Sequence, residues 1–185
     1  FRAWRVLGDM QHGRNIHCAV VAEINGTQYL CDPGYLLPAP LALPAGGDTE
    51  SILRGEVYIY RLRRGQDDIR AFHLHTSPPG GGNLRWRYRI HNEPVEDSLF
   101  ELHWRRTFSA SMMNQLVLTR AAGSEQMYVH NHKLRLTRPD SRKNANLSGD
   151  VGGAVEEMFG IDRSLVEAAL ERIELVKTGV KGARG

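Results

Sequence analysis

The run from Ile16 to Asp32, IHCAVVAEINGTQYLCD, constrains the fold more than any other part of the chain. Asn25-Gly26 sits between two apolar, alternating runs. Such a pair is a strong hairpin signal, because both residues accept the positive φ of a type I′ turn. With residues 25 and 26 as the loop, the numbers of paired positions sum to 51. That register sets His17 opposite Gly34 and Asp32 opposite Ala19. His17 and Asp32 are then diagonal neighbours on one sheet face, with Cα atoms about 7–8 Å apart. Side chains of this length reach across the gap, so the sequence predicts a His–Asp hydrogen bond, with Nδ1 as the imidazole partner.

The same register assigns the two cysteines. Cys18 and Cys31 each stand one residue from the pair, so the period-2 pleat turns both to the opposite face. Their neighbours there are Val20, Ala22, Ile24 and Tyr29, which predicts buried, reduced thiols packed as small hydrophobes. Diagonal positions suit a disulfide poorly, since its Cβ atoms must come within about 4.5 Å.

Beyond the hairpin, Pro33, Pro38, Pro40 and Pro44 rule out regular structure and predict an extended crossover. From Glu56 the pattern is β. Tyr58, Tyr60 and Leu62 alternate with Val57, Ile59 and Arg61, and Leu84, Trp86, Tyr88 and Ile90 alternate with Arg85, Arg87 and Arg89. These arginines, with Arg63 and Arg64, read as a solvated face. Residues 99–113 are ambiguous between helix and loop, and 115–120 with 126–137 read as a further antiparallel pair. The period then changes. Val151, Val155, Met158 and Phe159 recur at helical spacing, Gly160 ends that helix, and Asp162 caps another. The fold class is α+β, an antiparallel barrel or sheet following the hairpin, with C-terminal helices.

With 41% hydrophobic and 24% charged residues, the 185-residue chain has the composition of a globular protein. No apolar run has the length of a membrane span. Two cysteines give no disulfide framework, which makes the cytoplasm the expected compartment. The formal charge of +3 is mildly basic. Nucleic acid is not the expected partner, whereas a basic cleft would suit a phosphorylated cofactor. His73 with His75, and His130 with His132, lie at i,i+2 on single strand faces. Two histidines without a third ligand make no zinc site, so no metal is expected. Gly80-Gly81-Gly82 has no Lys-Ser/Thr after it and reads as a connection, not a phosphate loop.

His17, the Asn25-Gly26 turn, Tyr29-Leu30-Cys31-Asp32, Pro33-Gly34-Tyr35 and the proline-rich 38–43 stretch together resemble the arylamine N-acetyltransferases. In that family a histidine strand, a glycine-containing turn and a strand ending Asp-Val-Gly-Phe-Gly carry two members of a Cys–His–Asp triad. Phe100 with Thr107-Phe108-Ser109-Ala110-Ser111 is similar to the family's coenzyme A cleft segment, and Glu157-Met158-Phe159-Gly160-Ile161 to its closing helix. The chain departs from the pattern at Ile16, Pro33 and Leu36. Asp-Pro-Gly is also similar to the wider transglutaminase-like superfamily.

The resemblance implies an enzyme that moves an acetyl group from acetyl-coenzyme A to an arylamine or hydrazine. His17 and Asp32 would be catalytic, and Gly34, Tyr35, Ser109 and Ser111 would lie on the coenzyme A side. It also implies a nucleophilic cysteine on a helix upstream of Phe1, since neither Cys18 nor Cys31 faces the pair. The chain is then either part of a longer enzyme or a relative that cannot catalyse. Implied segments are 1–36 (the end of a catalytic domain with the hairpin), 37–140 (barrel and lid) and 141–185 (helical). A transglutaminase-like amidase, an amide synthase and a non-catalytic binding protein remain alternatives.

Overall fold

The computed structural model describes residues 1–46, 49–109, 114–147 and 149–182, with side chains described through Glu174. The chain forms two compact units, Phe1–Arg105 and Arg106–Gly185.

The first unit is built on eight strands: β1 (Arg2–Met10), β2 (Gly13–Ile24), β3 (Thr27–Cys31), β4 (Leu41–Ala42), β5 (Glu50–Arg54), β6 (Ile59–Arg64), β7 (Ala71–Ser77) and β8 (Arg85–His91). Their order is β4-β3-β2-β1-β8-β7-β6-β5, with every neighbouring pair antiparallel. The two edge strands approach each other, so the sheet curls into a nearly closed barrel. Closure hides strand edges that would otherwise be open to pairing.

The hairpin forms in the expected register, from Ile24↔Thr27 to Val20↔Cys31. Asn25 and Gly26 take φ of 51° and 78°, as the turn requires. Residues 2–10 form strand β1. They pair with β2 on one side and β8 on the other, which ties the hairpin to the barrel wall. The proline-rich crossover is not wholly irregular: residues 41–42 lie between prolines and add β4 to the edge of β3.

Inward side chains alternate as the pleat dictates. Val6, Val21, Leu30, Leu62, Leu74, Tyr88 and Ile90 fill the barrel and are almost fully buried. On β2 the other face is open, with Ile16, Val20 and Ile24 exposed. The first unit also contains most of helix α1 (Asp97–Thr107). Arg5 pairs with Asp97, and its guanidinium lies 4.3 Å from the Phe100 ring centre.

The second unit carries its own sheet, β9 (Val117–Ala122), β10 (Glu125–His130), β11 (Lys133–Thr137) and β12 (Arg142–Asn146), in the order β12-β11-β10-β9. The 126–137 run is two strands, because Asn131 (φ 54°) turns the chain between them. That turn also takes His132 off the strand that holds His130. Helices α2 (Val151–Phe159) and α3 (Arg163–Gly182) follow, separated by Gly160 in the left-handed conformation. Val129, Leu134, Val151, Val155 and Val166 form this unit's core.

Candidate active site

The inner face of the hairpin brings His17 and Asp32 together. His17 Nε2 lies 2.8 Å from Asp32 Oδ2, inside the hydrogen-bond range. The pair is the expected one but through the other nitrogen. Nδ1 sits beside Cγ, close to the histidine's own strand, whereas Asp32 lies across the gap at the far end of the ring. Only the distal nitrogen reaches it.

Asp32 stands just past the end of β3. It caps the 3-10 turn Pro33–Tyr35, with Oδ1 accepting from the Tyr35 backbone N–H at 3.3 Å. Pro33 has its fixed φ at the first turn position, where no N–H is needed. Leu36 closes the turn at φ 53°, and Tyr60 pins it from the barrel by donating its hydroxyl proton to Leu36 O at 3.0 Å.

Tyr88 on β8 donates its hydroxyl proton to Asp32 Oδ2, the oxygen that also meets His17. Asp32 is 3% exposed, yet both oxygens are satisfied by donors from three elements. Burial, first, and then the Asp32 charge hold the Tyr88 hydroxyl well above the usual tyrosine pKa, so it remains a donor. The Tyr88 ring lies 4.3 Å from the imidazole centroid, and the Tyr35 ring meets the imidazole edge-on at 5.4 Å. Tyr88 was legible in the sequence only as a core residue. Nothing in local spacing linked it to an aspartate 56 positions away.

A carboxylate only accepts, so the geometry fixes the tautomer. Nε2 carries the hydrogen, and Nδ1 of the neutral ring is left with a lone pair. Among the described residues, Nδ1 has no hydrogen-bond partner. The side chain retains 13% exposure. Such an imidazole can take a proton from a thiol placed beside it.

The glycines explain how closely the backbone approaches. Gly34 does not pair with His17 in the ladder, which ends at Cys31, yet a Cβ there would lie 3.2 Å from Asp32 Oδ1 and 3.6 Å from His17 Cε1. His17 instead pairs with Gly8 of β1, where a Cβ would lie 3.1 Å from the Arg89 carbonyl.

Neither cysteine serves the pair. Cys18 is exposed and Cys31 half-buried, which corrects the expectation that both are buried. The flank is apolar, but it belongs to the open side of β2. Both face away from the imidazole, and partial burial raises both thiol pKa values, at Cys18 against the lowering effect of the Arg5 charge and with a smaller rise from Asp32.

Gly34 and Tyr35 lie against the imidazole. Ser109 is exposed beyond α1, its N–H bonded to Arg106 O at 3.1 Å, and Ser111 falls outside the described residues. The arginines do not form one solvated face either. Arg61 and Arg63 pair with Glu50 and Arg89 with Asp9, whereas Arg64 lies over Phe72. Among the described residues, no group of three or more His, Cys, Asp or Glu side chains converges as metal ligands would, and no helix is long and apolar enough to cross a membrane.

No protein-family model and no curated protein sequence matches the chain. Solved structures do. The arylamine N-acetyltransferase from Mycobacterium abscessus matches over 94% of this chain at TM-score 0.73 and 22% identity. That from Mycobacterium tuberculosis matches over 93% at TM-score 0.74 and 16% identity. The Bacillus cereus enzyme, described as having a Cys-His-Glu catalytic triad, matches over 88% at TM-score 0.69 and 13% identity. The chain therefore has the fold of arylamine N-acetyltransferases, and it spans 66–68% of the length of these three structures.

Proposed function

We propose that this chain supplies the histidine and aspartate of a Cys–His–Asp acyltransferase that acetylates arylamines or hydrazines from acetyl-coenzyme A. The observation that carries this reading is the His17 Nε2–Asp32 pair, which leaves Nδ1 for a thiol, set in a fold shared with arylamine N-acetyltransferases. The thiol would come from a segment preceding Phe1 in the whole polypeptide.

In this reading His17 Nδ1 takes the proton from the cysteine, and the thiolate attacks the acetyl thioester carbon. The coenzyme A thiolate leaves and takes that proton from the imidazolium. The amine then attacks the acyl-cysteine and gives a proton to Nδ1, and the cysteine sulfur leaves as thiolate. Asp32 holds the tautomer throughout. The bare backbone at Gly34 and the Tyr35 ring would border the incoming thioester, with Ser109 and Ser111 assigned to the coenzyme A side by resemblance. The reading places the enzyme in the cytoplasm, where reducing conditions keep such a thiol free.

The test is pre-steady-state mixing of the whole polypeptide with acetyl-coenzyme A and an arylamine. A burst of free coenzyme A, followed by acetyl transfer that depends on His17, is expected. Absence of an acyl-enzyme in a folded full-length chain containing an upstream cysteine defeats the reading.

A further inference from the structure

Strands β7 and β8 lose register between Leu74 and His75. Leu74 pairs with Tyr88 but His75 with Trp86, so Arg87 is the extra residue of a bulge. Strict alternation would put Arg87 outside, with Arg85 and Arg89. The bulge instead turns it toward the side of Tyr88, and Arg87 Nε donates to the Oγ1 of buried Thr76 at 2.7 Å. Its charge acts on the hydroxyl of Tyr35, partly offsetting the rise that burial imposes there. Tyr35 is in ring contact with His17.

Arg87 is half-buried, and among the described residues it forms no ion pair, unlike Arg61, Arg63 and Arg89. One donor is used on Thr76 and the rest of the planar fork remains. A fork of this kind matches a carboxylate through two parallel hydrogen bonds.

We propose that Arg87 binds a carboxylate borne by the small substrate of the His17–Asp32 site, making it a specificity-determining residue. The inference rests on the acyl-transfer reading for what enters the site. The phosphates of a coenzyme A thioester are not the match, because the pantetheine arm holds them many bonds from the reacting carbon, whereas Arg87 is the strand neighbour of Tyr88, whose ring lies 4.3 Å from the His17 ring. The carboxylate then belongs either to the acceptor amine or to the far end of the acyl group.

The experiment measures binding to the whole polypeptide by calorimetry, using 4-aminobenzoate against its uncharged isostere 4-aminobenzamide. A second arm compares succinyl- with acetyl-coenzyme A. One arm is expected to favour the carboxylate by about ten- to a hundred-fold, the range for a charge-assisted hydrogen bond. That arm identifies the carrier. Arg87→Leu is expected to erase the preference without changing affinity for the uncharged partner. Arg87→Lys, which keeps the charge but loses the fork, is expected to reduce the preference several-fold and serves if the leucine variant does not fold. Equal affinities in both arms, no binding of any of the four compounds, or a preference that survives both substitutions overturns the inference. Acyl transfer is measured separately, with acetyl- and succinyl-coenzyme A as donors and with 4-aminobenzoate, 4-aminobenzamide and aniline as acceptors. Transfer without carboxylate preference overturns this inference alone, whereas preference without transfer defeats the acyl-transfer reading and leaves Arg87 as a binding residue.

Discussion

Tyr88 and Asp32 are joined by a hydrogen bond that crosses the barrel: the β8 hydroxyl donates to the carboxylate oxygen that also receives His17 Nε2. The carboxylate is therefore held from the barrel wall as well as from its own turn, and its orientation fixes the imidazole.

Removing that hydroxyl tests whether the hold matters. Tyr88→Phe keeps the ring against His17 and leaves Oδ2 with one donor. A hydrogen bond to a charged group contributes about 1.5–3 kcal/mol. If it is felt in the transition state, kcat of the acetyl transfer falls about ten- to a hundred-fold with little change in KM. Because the hydroxyl pKa lies well above its ordinary value, the wild-type protein keeps this donor through the alkaline range. Steady-state kinetics across pH check both points, and an unchanged kcat in the variant assigns Tyr88 to packing alone.

Changing the carboxylate itself should be far more damaging. Asp32→Asn presents a side-chain amide to Nε2 and no longer enforces a hydrogen there. An asparagine in the comparable place of a serine-protease triad lowers kcat by about four orders of magnitude. A loss of acyl-enzyme formation on that scale is expected, with the variant still folded by circular dichroism. His17→Ala should abolish the step altogether.

Gly34 offers a steric test of the same geometry. A methyl at this position meets Asp32 Oδ1 and His17 Cε1 at tight distances. Gly34→Ala is expected to shift the imidazole resonances and slow transfer at least several-fold, while the melting temperature changes little. Gly8→Ala is the contrasting case. Its methyl meets the Arg89 backbone carbonyl, so stability should fall along with activity. Identical behaviour of the two variants in both assays would falsify this separation.

The hairpin, its register and the His17–Asp32 pair were legible because each follows from local chemistry: an Asn-Gly turn, a period of two and a diagonal reach. The choice of nitrogen was not, because it depends on where the ring ends relative to the 3-10 turn. Tyr88 and Arg87 were hidden for different reasons. Tyr88 enters the site through barrel closure over a long sequence separation, and Arg87 through a bulge that breaks the very alternation used to place it outside. The exposure of Cys18 was misjudged because an apolar strand face was equated with a buried one. The helices on either side of Gly160 read correctly because the spacing and caps lie within the segment itself.

The buried carboxylate of Asp9 supports a prediction about acid stability. Burial alone would raise its pKa, but hydrogen bonds from Arg89 at 2.6 Å, the Asn15 N–H at 3.0 Å and His91 outweigh that and bring it below the usual aspartate value. A depressed folded-state pKa contributes stability that is fully present above the unfolded value, about 3.9, and is lost as pH falls through the folded one. Asp9→Asn breaks an ion pair whose carboxylate is buried but whose arginine is 37% exposed, so the cost at neutral pH is nearer that of a hydrogen bond to a charged group, about 1.5–3 kcal/mol. The gap in melting temperature between wild type and variant should therefore be widest above pH 5 or so and should narrow on acidification below the ordinary aspartate range. Scanning calorimetry from neutral pH to about pH 2.5 measures it. A gap that stays constant over that range means the Asp9 carboxylate does not carry this acid sensitivity.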